Sequence, residues 1–255
     1  MKLEAFIVDN IPLIKEGDNL AEIICNNTKL EDGDIVVIAS TIVAKSEGQI
    51  FRLKDITPTD KAVEIANKNR FSPAFVQAVL ERSRDCLVDS PIMLVETYNG
   101  NVCINAGLDD SNIENGFILD LPKNPDVSAE YIGLHLQNLT SKKIGVVITD
   151  TNGRAFKTGQ TGVAVGLYHI PAIKNWRGKN DLYGHALDIT EEAIADEIAG
   201  TANLLMGEGD GGTPVVIIRG LDVLTGKKVS VKNMYRPDDK DIIKKGLRSL
   251  NQSNL

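Results

Sequence analysis

Apolar residues along the chain fall in short, β-branched runs separated by polar, glycine-bearing loops. Residues 3–8 and 34–39, the latter containing Ile35-Val36-Val37-Ile38, predict strands, and residues 20–24 between them predict a helix. Thr57-Pro58 and Ser72-Pro73 each put a capping hydroxyl before a proline suited to the first helical position, so helices are expected to begin at both. The second, over 73–83, sets Phe75, Val76, Val79 and Leu80 on one face. Residues 92–96 and 102–105 flank Asn99-Gly100 and predict an antiparallel pair, with a tight turn or a bulge between them. A helix is expected over 128–139. The run 144–149 is apolar without alternation, which predicts a strand covered on both faces. Thr190 is expected to cap a helix with Glu191 and Glu192 in its first turn and Ile194, Ile198, Ala202 and Leu205 at helical spacing. Residues 215–218 predict another strand. The pattern is that of an α/β protein with mixed sheets. Without repeats or flexible linkers, residues 1–250 are expected to form a single unit and residues 251–255 a frayed tail.

Three loops interrupt this pattern with carboxylates: Asn105-Ala-Gly-Leu-Asp109-Asp110-Ser-Asn112, Thr149-Asp150-Thr151-Asn152-Gly153-Arg154, and Met206-Gly207-Glu208-Gly209-Asp210-Gly211-Gly212-Thr213. Loops at strand ends of α/β folds meet at one crevice, so these could bring oxygen ligands, backbone N–H groups and an arginine together. That set suits metal-dependent phosphate chemistry. A structural reading stands beside each motif. Asp-Thr-Asn-Gly is a good turn that leads the chain away after Thr149, and a glycine-dense loop can simply be mobile. The glycine loop lacks the Gly-Lys-Ser/Thr ending of a P-loop and opens no helix. Ser40, Thr41 and Lys45 follow the strand ending at Ala39 and could meet phosphate oxygens; Arg154 and Lys157 could hold a carboxylate or phosphate.

A net charge of −7 argues against a general nucleic-acid binder or a membrane-surface protein, and an anionic ligand would need local cations or metals. Cys25, Cys86 and Cys103 are far apart and odd in number, which suggests neither a disulfide framework nor a zinc site. A cytoplasmic location is the expectation, since the first residues carry acids and no apolar run approaches spanning length. His135, His169 and His185 lack metal-ligand spacing, and no motif marks a covalent nucleophile.

With Ile11-Pro12-Leu13-Ile14-Lys15-Glu16-Gly17-Asp18, Ser40-Thr41 with Lys45, Asn105-Ala-Gly-Leu-Asp109-Asp-Ser-Asn112, Ile148-Thr-Asp150-Thr151-Asn-Gly-Arg154 and Asn203-Leu-Leu-Met206-Gly-Glu208-Gly in this order, the chain resembles the coenzyme F420-0:L-glutamate ligase family, also called coenzyme F420:γ-glutamyl ligase. The resemblance extends over nearly the whole chain. It implies GTP contacts from Ile11, Pro12, Leu13, Ile14, Ser40, Thr41, Lys45, Asn112 and the stretch Met206, Gly207, Glu208, Gly209, Asp210, Gly211, Gly212 and Thr213. It implies that Asp109, Asp150, Thr151 and Glu208 hold two divalent ions, Mg²⁺ or Mn²⁺; whether K⁺ assists is open. It further implies two interleaved lobes in an intertwined homodimer of the stand-alone archaeal type, without the flavin-binding domain that some relatives add. The implied reaction uses GTP to activate the terminal carboxylate of coenzyme F420-0 as an acyl phosphate, which the amine of L-glutamate then displaces, giving F420-1 and then F420-2. Two other readings remain at this point: a metal-dependent nucleotide phosphohydrolase and a non-catalytic GTP-binding regulator.

Overall fold

A computed structural model describes residues 2–253. In chain order the elements are β1 (Glu4–Ile7), α1 (Leu20–Asn27), β2 (Ile35–Ala39), α2 (Ser40–Ser46), β3 (Ile50–Arg52), α3 (Asp60–Lys68), α4 (Pro73–Glu81), β4 (Ser83–Val88), β5 (Leu94–Thr97), β6 (Val102–Ile104), β7 (Phe117–Leu119), α5 (Pro125–Thr140), β8 (Gly145–Arg154), β9 (Lys157–Tyr168), β10 (Lys174–Asn175), β11 (Glu191–Glu192), α6 (Ile194–Met206), β12 (Val215–Arg219) and α7 (Ile242–Ser253). Five strands form one sheet in the order β1-β12-β2-β8-β9, in which β2 and β8 run parallel and the other neighbours antiparallel.

The central strands lack polar alternation because both faces are covered. Val36, Ile38, Val146 and Ile148 pack with Ile24 of α1 and Leu136 of α5, while Val37, Val147 and Ile218 pack with Ile198 and Ala202 of α6. Each such Val, Ile or Leu side chain contributes about 1.5–3 kcal/mol relative to exposure. Between α2 and α5 the chain builds a second core, with Val76 and Val79 of α4 against Met93, Val95 of β5 and Ile118 of β7. The opposite side of β5 is ionic. Glu96, only 2% exposed, accepts from Arg84 at 2.6 Å, from Lys244 of α7 at 3.0 Å and from Arg248 of α7 at 3.3 Å.

Several boundaries differ from the sequence expectations. The helix after Thr57-Pro58 starts at Asp60, because Thr59 is the residue whose side chain accepts from the Ala62 N–H. Ser72 caps α4 as its spacing predicts, but the helix ends at Glu81 because Ser83 enters β4. Helix α5 begins at Pro125, three residues ahead of expectation, with proline in the first turn where its missing N–H is harmless. Glu191 and Glu192 do not open a helix. They pair with Asn175 and Lys174, and Glu192 accepts from the Trp176 ring N–H at 2.6 Å. Helix α6 starts at Ile194, and its first-turn acids are Asp196 and Glu197. Leu205, placed on its core face by spacing, is exposed. Helix α7 spans Ile242–Ser253, and residues 254 and 255 of the expected tail lie outside the described residues.

The largest correction concerns Asp150-Thr151-Asn152-Gly153. This stretch is no turn: β8 continues through it to Arg154, paired throughout with β9. The turn propensity loses to a cross-strand ladder in which Asp150 faces Val163 and Thr151 faces Gly162. Ile148 pairs with Gly166 but Thr149 with Ala164, so Val165 is an extra residue in β9. This bulge lets glycines meet a helix on either side of the strand. A Cβ at Gly166 would lie 2.3 Å from the Pro125 carbonyl oxygen of α5, and one at Gly162 would lie 2.6 Å from the Ala199 carbonyl oxygen and 2.7 Å from Asn203 Cβ of α6. Gly162→Ala is therefore expected to destabilise the fold by about 1–3 kcal/mol through overpacking. Chemical denaturation would read it, and an unchanged midpoint would mean that α6 shifts freely.

Candidate active site

The parallel pairing of β2 and β8 sets Ala39 beside Thr149, so Ser40, which follows β2, and Asp150, the next residue of β8, are neighbours. Ser40 Oγ at the start of α2 donates to Asp150 Oδ1 at 2.9 Å, across 110 residues of sequence. Successive strand residues face opposite ways. Thr151 accordingly reaches the α6 side, where its hydroxyl donates to Glu208 Oε1 at 3.0 Å. Asp109 arrives from the second core. Asn105, Ala106 and Gly107 have φ of 54°, 57° and 73°, a left-handed turn that brings the chain to the Asp109–Leu119 bridge. Holding an alanine there costs about 1–2 kcal/mol, offset by the burial of Ala106 in the second core.

Asp109, Asp150, Thr151 and Glu208 line one cleft of about 1130 Å³. So do all the residues that the resemblance assigns to GTP, except Gly211. Arg154 does not; its guanidinium donates to the Thr158 carbonyl at 2.9 Å across the β8–β9 hairpin. Lys157 also lies outside the lining. Ile11, Leu13, Ile42, Ile50 and Phe117 supply an apolar wall, and Leu13 is 90% exposed there. Lys45 donates to the Asn112 carbonyl; burial lowers its pKa, opposed by Asp109.

Electrostatically the cleft is acidic. Six carboxylates, Glu16, Asp109, Glu114, Asp150, Glu208 and Asp210, line it against two lysines, Lys15 and Lys45. Asp150 is pushed up to about 6, first by desolvation at the cleft floor and further by the charges of Asp109 and Glu208, while the Ser40 hydrogen bond pulls it down. The donors are hard oxygens, which fits a hard dication. As arranged, no three His, Cys, Asp or Glu side chains among the described residues converge closely enough to hold an ion. Asp109 accepts from the Ser111 N–H at 2.9 Å and from its hydroxyl, and Glu208 accepts from Thr151 and Asn203.

The Cys103 thiol at the cleft wall is pushed up to about 12 by burial and by Asp150, and none of the three histidines lines the cleft. Sequence reasoning gave no role to Asn203, Gln160, Cys103 or Phe117, all of which line it. For Asn203 the available signal was its place in Asn203-Leu-Leu-Met206-Gly-Glu208-Gly, five residues ahead of Glu208; for Gln160 the sequence carried none. Among the described residues no helix is long and apolar enough to cross a membrane.

Comparison with known proteins identifies the family. Residues 9–220 match the family model described as F420-0:Gamma-glutamyl ligase. The chain is 60% identical over 250 residues to the coenzyme F420:L-glutamate ligase of Methanosarcina mazei, covering 98% of each protein. It is 48% identical over 248 residues to the Archaeoglobus fulgidus protein of that name, covering 97% of this chain and 99% of the relative. With the Methanocaldococcus jannaschii protein of the same name it shares 42% over 237 residues, covering 92% and 94%. A match of this extent across the sheet, the second core and all three carboxylate-bearing segments places the chain in the F420-0:γ-glutamyl ligase family.

Proposed function

We propose that this protein joins L-glutamate to the terminal carboxylate of coenzyme F420-0 at the expense of GTP, then adds a further γ-linked glutamate. The observation that carries the reading is the cleft itself: six carboxylates against two lysines, with Asp150 already resisting ionisation. Such a surface repels a nucleotide and an acidic coenzyme, so it makes sense as a holder of divalent cations. Asp109, Asp150, Thr151 and Glu208 would hold them. Bound there, Mg²⁺ or Mn²⁺ would offset phosphate charge and lessen the repulsion between the carboxylate and the nucleotide.

The chain's own residues do the positioning. Ser40 fixes the orientation of Asp150, and Lys45 offers a point charge to phosphate oxygens. Gly209 and Gly212 line the cleft without side chains and would offer backbone N–H groups to the same oxygens, while the Gly207 N–H is spent on the Asn203 carbonyl at 3.0 Å. The apolar wall of Ile11, Leu13 and Phe117 receives a planar ring. The F420-0 carboxylate oxygen attacks the γ-phosphorus of GTP, and GDP leaves. The glutamate amine then attacks the acyl carbon, expelling phosphate and losing a proton as the amide forms. Catalysis by orientation and electrostatics agrees with the absence of a reactive thiol or histidine in the cleft. Assembly as a homodimer belongs to this proposal, supported by Val127, Tyr131 and Leu134, which α5 leaves exposed.

The decisive experiment is mass spectrometry of the deazaflavin after incubation with F420-0, L-glutamate, GTP and Mn²⁺, with phosphate release followed in parallel. A gain of one or two glutamyl units that needs every component is the expected result. Phosphate release without mass gain would replace the ligase by a phosphohydrolase, and GTP binding with neither signal would leave a regulator.

A further inference from the structure

Thr151 and Glu208 approach one another from different elements, strand β8 and the loop after α6. Glu208 is poorly restrained by its backbone, being exposed and flanked by Gly207 at φ 67° and by Gly209. What holds its carboxylate is a pair of hydrogen bonds, one from Thr151 and one from Asn203. Asn203 Nδ2 donates to Glu208 Oε1 at 2.8 Å and to Thr151 Oγ1 at 3.3 Å. Asn203 is itself well anchored. It sits near the end of α6, and its Cβ lies against Gly162, where an added methyl would come within 2.7 Å.

We propose that Asn203 is a positioning residue whose amide sets the spacing of the Thr151 hydroxyl and the Glu208 carboxylate for a divalent cation. The proposal rests on the reading of those two residues as ligands. The choice of side chain has a physical reason. An amide donates two hydrogen bonds without bringing charge, so it orients Glu208 and leaves its negative charge for an ion; lysine or arginine in that place would cancel it. Its short side chain, on a helix packed against β9, fixes the longer and more mobile Glu208.

The test is a Mn²⁺ titration of the full chain, without nucleotide, following free Mn²⁺ by electron paramagnetic resonance, with thermal melting in parallel. The parent should bind Mn²⁺, and Asp150→Asn should bind it far more weakly. Asn203→Leu should weaken binding by about 10–100-fold with an unchanged melting temperature of the ion-free protein. Asn203→Gln, which keeps the amide, should recover part of the loss. In turnover, the Mn²⁺ concentration for half-maximal rate should rise by the same factor in Asn203→Leu, while kcat at saturating Mn²⁺ returns towards the parent value. If Asn203→Leu melts early, Asn203→Ala decides by the same criterion. Parental Mn²⁺ affinity in the Asn203 variants would overturn the proposal while the ligand reading stands. A parent that binds no Mn²⁺, or Asp150→Asn with parental affinity, would overturn the ligand reading and the proposal together.

Discussion

Asp150→Asn is expected to lower glutamyl transfer by on the order of 10²–10³-fold, the scale of losing one preorganised electrostatic contact to the reacting groups, while the ion-free fold becomes no less stable. The two halves of this expectation share one cause. Asp150 sits at the cleft floor near Asp109 and Glu208, and its carboxyl is held up at about 6. A carboxyl whose folded pKa lies above its unfolded value of 3.8 binds its proton more tightly in the native state. Its contribution to stability is therefore full below about pH 4 and is lost as pH rises through about 6. At neutral pH the ionised group strains the ion-free protein, by on the order of 2–3 kcal/mol. Asparagine keeps the shape and can still accept from Ser40, but it carries no charge to repel its neighbours. The variant should thus melt at or above the parent temperature without metal. Adding Mn²⁺ at 100 times its dissociation constant should stabilise the parent by about 2.7 kcal/mol and the variant far less. Normal ligation by a normally folded variant would remove Asp150 from the site. Lost ligation accompanied by a lower melting temperature would mean that the residue is structural.

Glu96→Ala has the second large expected effect, on stability alone. Glu96 is the acceptor on which Arg84, Lys244 and Arg248 converge, and Lys244 is itself buried. Removing the carboxylate leaves the Lys244 ammonium with Asp238 at 3.5 Å, a longer and more exposed partner. Losing one member of a buried ion pair costs about 3–5 kcal/mol, which in a chain of this size lowers the melting temperature by on the order of 10 °C. The damage should begin with α7, because that helix docks through Lys244 and Arg248 and turns Ile243 and Leu250 to solvent. Hydrogen exchange should show α7 opening first. The double variant Glu96→Leu with Lys244→Met should recover much of the loss, since a packed apolar pair needs no desolvation of charge. A single variant as stable as the parent would show that α7 is held by something other than this cluster.

Sequence alone was sufficient wherever local chemistry and the final environment ask for the same thing. Residues 34–39 and 144–149 are β-branched and unalternating, and they became β2 and the first half of β8 with helices on both faces. Ser72-Pro73 carries its own cap and its own fixed φ, so α4 starts there in any context. The three carboxylate-bearing motifs and the family they indicate were likewise legible, because they depend on residue types and order, although one of the three is strand rather than loop. Tertiary structure decided what depends on a partner distant in sequence. Asp150-Thr151-Asn152-Gly153 is a turn by propensity, and only pairing with β9 keeps it extended. That strand carries glycines at 162 and 166, which are explained only by the close approach of α6 and α5. Glu191 and Glu192 suit a helix start, yet a cross-strand bond to Trp176 holds Glu192 elsewhere. The same holds at the site, where the sequence names the acids, but the parallel register of β2 and β8 places Ser40 on Asp150 and the packing of α6 on Gly162 brings Asn203 to Glu208. Local preferences amount to a kcal/mol or less per residue, whereas a ladder of backbone hydrogen bonds and a buried face sum over many residues, and where the two disagree the sum prevails.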